Sequence, residues 1–255
     1  KEESHVVWQT LVSAALLDYP NRRITLLLDD PPLSNSEADR DLLTRARAQA
    51  QIVADQLAPL ASKFAAAARN FHTIDRTAAD RQVIANEAAS LYREAAAFLR
   101  TLAGQVRGGE LGGTDDHTRT FFVERILLAP AAEHERHAAQ LVDEPSSWDG
   151  LAREFDRLAY LFKVSLNTFE RKKYVNLSHA ATKAANLNAY ISLMGRRFEV
   201  VTTEEGQFLN ELSGADAGSR HSLSLRDAEF VVVLDADSFL LPDYATCMIA
   251  ALQAP

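Results

Sequence analysis

The sequence predicts an α/β protein in which a mixed, mostly parallel sheet is interrupted by a large helical insertion. Two observations predict the sheet. Residues 24–28 form a continuous apolar run and residues 229–234, opened by Glu229, a β-branched and apolar one, and both end in paired acids, Asp29-Asp30 and Asp235-Ala236-Asp237. A third predicts the insertion, because from about residue 36 to about residue 169 the texture is alanine-rich and charged, with apolar side chains recurring at steps of four and three. The chain has 255 residues, 47% hydrophobic and 24% charged, enough for one large domain or two small ones around a core.

Residues 5–18 read as a helix, with Val7, Leu11, Ala14 and Ala15 at helical spacing and Tyr19-Pro20-Asn21 to end it. The run 24–28 follows as a strand buried on both faces and stopped by Pro31-Pro32. Within the insertion one seam runs Ala46, Ala50, Val53, Leu57, Leu60, Phe64, and a second runs Ile84, Ala88, Leu91, Ala95, Phe98, Leu102. A third joins Leu151, Phe155, Leu158 and Phe162, with Ser147 placed to cap its helix, so Phe155 and Phe162 are expected in a core where the helices pack as a hairpin or small bundle. Gly104, Gly108, Gly109, Gly112 and Gly113, together with Thr114, Asp115 and Asp116, read as a mobile loop. After the insertion come a helix over about 180–194, an extended segment 197–201 and a softer polar region over about 206–224. The run 229–234 has the strongest strand signal in the chain, and Pro242 opens a last short helix. The domain organisation that follows is a core begun by residues 1–35, an inserted helical subdomain 36–170, and a core completed by residues 171–255.

The balance of 27 basic against 35 acidic residues gives a formal charge of -8, which provides no basic field for a nucleic-acid partner. The single cysteine, Cys247, has no partner for an internal disulfide, and no apolar run approaches the roughly 20 residues of a membrane span. The acidic start Lys1-Glu2-Glu3 is not a signal peptide. These features predict a soluble, cytoplasmic chain, and both ends read as those of an excised piece whose parent could carry membrane segments.

On an extended backbone Asp235 and Asp237 point the same way while Ala236 faces away. Two adjacent carboxylates repel unless a cation lies between them, and Mg²⁺ or Mn²⁺ favours such oxygen ligands, completing its shell with water and substrate phosphates. A bound diphosphate or nucleotide is the implied ligand; two acids simply marking a strand end is the alternative. Asp30 could accept hydrogen bonds from a base or ribose, or serve as a turn residue before Pro31. Lys183 could reach a phosphate from the start of its helix, or be an ordinary surface lysine.

These residues, in this order, resemble family 2 glycosyltransferases of the GT-A fold, and most closely their cellulose-synthase-like branch. Lys1-Glu2-Glu3 looks like the tail of that family's Pro-x-Tyr-Asn-Glu box, Asp18-Tyr19-Pro20 like its turn, and Asp29-Asp30 like its acidic strand end. Lys183-Ala184-Ala185-Asn186-Leu187-Asn188 is similar to its Lys-Ala-Gly-x-Leu-Asn helix start, and Asp235-Ala236-Asp237, followed by Pro242-Asp243-Tyr244, to its Asp-x-Asp segment. The resemblance implies a GT-A-like, Rossmann-like core and a nucleotide-sugar donor, a UDP-sugar being favoured, with a glycan or lipid-linked acceptor. It puts Glu2 and Asp30 near the nucleoside, Lys183 near the diphosphate, Asp235 at both donor and metal, and Asp237 at the metal. It covers about residues 2–30 and 174–255 and leaves the insertion aside. Pro31-Pro32 stand where many relatives have Gly-Ser, and Ala185 replaces the usual glycine. The family's general base lies on a later motif, expected downstream of Pro255, so this piece is expected to bind donor without transferring sugar.

Two other classes compete. A haloacid-dehalogenase-like phosphatase also uses a strand ending in Asp-x-Asp, but needs a lysine and further acids downstream, where few residues follow Asp237. A non-catalytic helical interaction or regulatory module would make the insertion the working part. His134 and His137 lie three apart beside Glu133 and Glu135, a spacing that suits a solvated charged helix better than the zinc-peptidase pattern. Asp115-Asp116-His117 follows glycines without the Lys-Ser/Thr of a phosphate loop, and the sequon Asn176-Leu177-Ser178 carries little weight in a cytosolic chain.

Overall fold

The computed structural model describes residues 3–32, 36–109, 111, 116–212 and 222–253. It is a mixed α/β structure, about 60% helical, with small parallel and antiparallel sheets and, among the described residues, no barrel. Helix α1 (Ser4–Ala15) leads into strand β1 (Arg23–Leu28). Helices α2 (Glu37–His72), α3 (Arg81–Arg107), α4 (Asp116–Phe121), α5 (Ala129–Asp143) and α6 (Trp148–Leu161) follow, with a π-helical stretch Phe122–Leu128 joining α4 to α5. Strand β2 (Ser165–Glu170), a short 3-10 turn Arg171–Lys173, helix α7 (Lys183–Leu193), strands β3 (Arg197–Thr203), β4 (Gly206–Glu211) and β5 (Ser222–Ser224), and helix α8 (Tyr244–Gln253) complete the order. The chain forms two compact units, one of residues 1–24, 49–166 and 235–255, the other of residues 25–48 and 167–234.

The first unit is built on the helical seams. Asp80 and Ser147 cap α3 and α6, each accepting a hydrogen bond from a backbone amide of the first turn. Ala50, Val53, Leu57, Leu60 and Phe64 are buried as their spacing predicts, as are Leu151, Phe155, Leu158 and Phe162. Phe155 stacks on Phe71 at 4.6 Å between ring centroids, and Phe162 meets Phe64 and Phe98 at 5.7 and 5.4 Å. Alanines 85, 88, 89, 95 and 96 of α3 are fully buried, so neighbouring backbones approach closely along this helix.

Polar residues of α1 are buried too, and two of them, Thr10 and Ser13, tie the helix to a distant stretch of chain. Ser13 Oγ donates to Thr10 O at 2.8 Å and accepts from the Leu240 amide at 3.3 Å, while Thr10 Oγ1 donates to Ala236 O at 2.6 Å. The Asp18 amide donates to Pro242 O at 2.7 Å. These bonds clasp residues 236–242 to α1 and its turn. Arg22, only 8% exposed, donates to Ala15 O and Tyr19 O and to Tyr160 O and Leu161 O, at 2.5–3.0 Å, and so caps the carboxyl ends of α1 and α6 with one cation. Its burial lowers its pKa to about 10.

The second unit has a core of Phe169, Leu193, Phe198 and Leu209, against which Leu27, Tyr174, Tyr190 and Val200 pack. Strand β1 pairs with β2, and β3 lies between β4 and β5. Both β3 pairings are antiparallel, Val200 opposite Leu209 and Phe198 opposite Leu223. The expectation of a mostly parallel sheet is corrected here: Glu204-Glu205 joins β3 to β4 as a two-residue hairpin, and only antiparallel strands can be joined so tightly. Gly206, at φ +132°, takes the backbone out of that turn where an L side chain would be strained.

Three further expectations are corrected. The helical texture ends at Leu161, and residues 165–170 form β2, a run too short for its periodicity to separate strand from helix. Strand β1 forms, but all its residues except Leu28 are at least partly accessible, because it has a two-stranded sheet rather than a doubly covered one. Residues 229–234 are not a strand: among the described residues their backbone joins no ladder, and Val231, Val232 and Val233 are 52%, 49% and 45% exposed. β-Branched composition favours an extended conformation, but a strand exists only where an edge is available to pair with it.

Candidate functional site

In the second unit, the carboxyl end of β1 is surrounded by charge. Glu170, 5% exposed, ends β2 and receives a fork from Arg47, with Nε to Oε1 at 2.9 Å and Nη2 to Oε2 at 2.6 Å, and Lys173 Nζ at 2.5 Å from Oε1. Burial pushes the Glu170 carboxyl up, but the hydrogen bonds and charges of Arg47 and Lys173 outweigh it and hold the group below its ordinary range. Asp29 is held by Arg171 and Lys172, the two residues that follow Glu170. Arg171 Nη2 donates to Asp29 Oδ1, and Lys172 Nζ donates to Asp29 O at 2.5 Å and lies 3.6 Å from Oδ1. Arg171, fully buried, also donates to Ser178 O and, at 2.8 Å, to Ala180 O.

That second pair of bonds leads to α7. Thr182 caps the helix, its Oγ1 accepting from the Ala185 amide at 3.1 Å, and Lys183 is the first helical residue, exposed to solvent. Thr182 N donates in turn to Ala180 O at 2.9 Å. An open groove of about 460 Å³ runs beside α7, lined by Asn176, Ser178, Ala185, Asn188 and Ser192 among others. The Asn176 amide is spent on the sheet, donating to Leu209 O at 2.8 Å and accepting from the Leu209 amide at 3.0 Å.

Of the residues predicted from sequence, Asp30 and Lys183 therefore belong to the second unit, at the end of β1 and the start of α7. Asp235 and Asp237 belong to the first unit, and both are exposed. Glu2 lies outside the described residues, as do Gly112, Gly113, Thr114 and Asp115 of the glycine-rich stretch. The Asp-x-Asp segment is a turn rather than the end of an extended strand. The Ser238 amide donates to Asp235 O at 3.1 Å, and Thr10 holds Ala236 O, so the two-residue alternation of a strand does not set the directions of the two carboxylates. Both residues are exposed and carry carboxylate oxygens, the ligand type a hard divalent cation takes. Among the described residues no group of three or more His, Cys, Asp or Glu side chains is arranged around a common metal position.

The histidines of α5 have other partners. His137 Nε2 lies 2.7 Å from Glu154 Oε2, which also accepts from Tyr92 OH at 2.8 Å. His134 is 6% exposed beside the Tyr92 ring, and its Nδ1 has no partner among the described residues. Burial, reinforced by the Arg157 charge, lowers its pKa to about 4.

Sequence reasoning missed Arg171, Lys172 and the Arg47–Glu170 pair. Their signal was a run of three basic residues beginning where a strand ends, which by composition alone is a solvated tract. Among the described residues no helix is long and apolar enough to cross a membrane. No family profile, curated protein or solved structure matches the chain.

Proposed function

We propose that the chain carries the donor-binding part of a metal-dependent glycosyltransferase, with a GT-A-like core related to family 2 and its cellulose-synthase-like branch. The observation that carries this reading is the succession of motif-like segments in one order: Lys1-Glu2-Glu3, Asp18-Tyr19-Pro20, Asp29-Asp30, the helix start from Lys183 to Asn188, and Asp235-Ala236-Asp237. Two features of the fold support it. Arg171 ties the acidic end of β1 to the approach to α7, so two of these segments share one hydrogen-bonded network. The Asp-x-Asp turn carries two exposed aspartates, whose carboxylates are the kind of ligand a hard cation prefers.

On this reading Asp30 and Glu2 meet the nucleoside, Lys183 the diphosphate, and Asp235 and Asp237 hold Mg²⁺ or Mn²⁺. The ion, when bound, would neutralise charge developing on the leaving diphosphate. The donor is a nucleotide-diphosphate sugar, UDP-linked by preference, the acceptor a glycan or lipid-linked sugar, and the compartment the cytoplasm.

Calorimetric titration of UDP with and without Mn²⁺ tests the reading. Binding that requires Mn²⁺ and is lost in Asp237→Ala is the expected result. Binding that ignores the metal, or no binding by the wild-type chain, would overturn it.

A further inference from the structure

We infer that Arg171 is a positioning residue for the nucleoside diphosphate, acting through Asp29 and the 178–182 segment rather than by touching the ligand. The inference rests on the donor-binding reading above and adds a residue to it. Arg171 is fully buried, and its guanidinium is shared between two stretches far apart in sequence. Nη2 reaches Asp29 Oδ1 and Ala180 O, and Nη1 reaches Ser178 O. Taking a guanidinium out of water costs several kcal/mol, and an apolar side chain of similar volume often serves stability as well. What an apolar side chain does not supply is a planar set of donors in fixed directions.

The bonds run on in both directions. Lys172 holds the Asp29 carbonyl, so both the backbone and the carboxylate of the residue next to Asp30 are held. On the other side Ala180 O accepts from Thr182 N as well as from Arg171, and Thr182 caps the helix that begins at Lys183. Ser178, whose carbonyl Arg171 binds, also lines the groove beside α7. One guanidinium thus sets the separation between the Asp29-Asp30 strand end and the Lys183 helix start before any ligand arrives. A binding site assembled in advance spends less of its interaction energy on ordering.

The test is the Mn²⁺-dependent UDP titration applied to the wild-type chain, Arg171→Lys, Arg171→Met and the double variant Arg171→Met with Asp29→Asn, each checked for native far-UV circular dichroism. Removing a residue that orients a metal ligand typically weakens binding by roughly 10- to 100-fold, and a residue that positions a diphosphate site is expected to act on the same scale. Arg171→Met is expected in that range, with Arg171→Lys recovering only part because it keeps the charge and loses the fork. The double variant is expected to bind no worse than Arg171→Met, since both changes break one link; an unrelated structural loss would add instead. Hydrogen exchange on the wild type gives an answer even if the variants do not fold. The Thr182 amide is expected to be protected without UDP and to change little when it binds. If wild type binds UDP while a folded Arg171→Met binds equally well, or if Thr182 becomes protected only with UDP, the inference falls and the donor-binding reading stands. If wild type binds no UDP, both fall.

Discussion

Replacing Arg22 by methionine keeps an unbranched apolar stem of similar reach and removes every donor from a buried site between two helix ends. Four carbonyls lose a partner: Ala15 O and Leu161 O in buried surroundings, Tyr19 O and Tyr160 O in partly buried ones. A hydrogen bond from a charged donor contributes roughly 1.5–3 kcal/mol, so the two buried bonds alone set a scale of about 3–6 kcal/mol. Against this stands the release of a buried charge, whose cost is visible in the lowered pKa of about 10. A net loss of about 2–4 kcal/mol is expected, which at roughly 2–4 °C per kcal/mol lowers the melting temperature by about 4–16 °C. Thermal and urea unfolding followed by the helical circular dichroism signal would measure it, with an unchanged urea m-value showing that stability rather than compactness has changed. A melting temperature within 2 °C of wild type, or above it, would refute the assignment of Arg22 as a shared helix cap.

Two further outcomes are expected besides those of the UDP titrations. His134 has a folded-state pKa of about 4, below its ordinary value near 6.5, so between those values the unfolded chain binds more protons and stability falls as pH falls. The groups facing it are Tyr92 on α3, Arg157 on α6, Asp18 after α1, and His137 and Glu133 on its own helix. Up to about 3 kcal/mol should be lost from pH 7 to pH 4 through this residue alone, and His134→Leu should flatten that part of the profile measured by urea unfolding at successive pH values. The exposed valines give the opposite kind of result. Val231→Thr and Val233→Thr should each change unfolding free energy by no more than about 0.5 kcal/mol, as for surface positions, whereas a buried strand would lose more than 1 kcal/mol at each.

Local chemistry was legible where neighbours in sequence are also neighbours in space. The seams of α2, α3 and α6 followed from helical spacing, because residues three and four apart share a face whatever lies opposite. Ser147 was readable as a cap because the amide it binds is three residues away. The start of α7 and the strand β1 were readable for the same local reasons, and the acidic pairs at 29–30 and 235–237 were visible as carboxylates.

Pairings over long separations were decided elsewhere. Strand β2 was hidden because six residues of alternating exposure became a strand only by lying beside β1, more than 130 residues earlier in the chain. The valine run at 231–233 was misread for the converse reason: its propensity is local, but the partner that would make it a strand is not. Asp235 and Asp237 took a turn because Thr10 and Ser13, on the first helix, hold the backbone around them. Arg22 and Arg171 look like ordinary surface cations in one dimension, and only the folded chain brings to each the carbonyls and the carboxylate that make burying a guanidinium tolerable. The sequence by itself determined which helices have apolar faces and where the paired carboxylates fall along the chain. The tertiary structure alone decided which polar groups are held and by what, because a hydrogen bond depends on distance in space and a chain records only distance along itself.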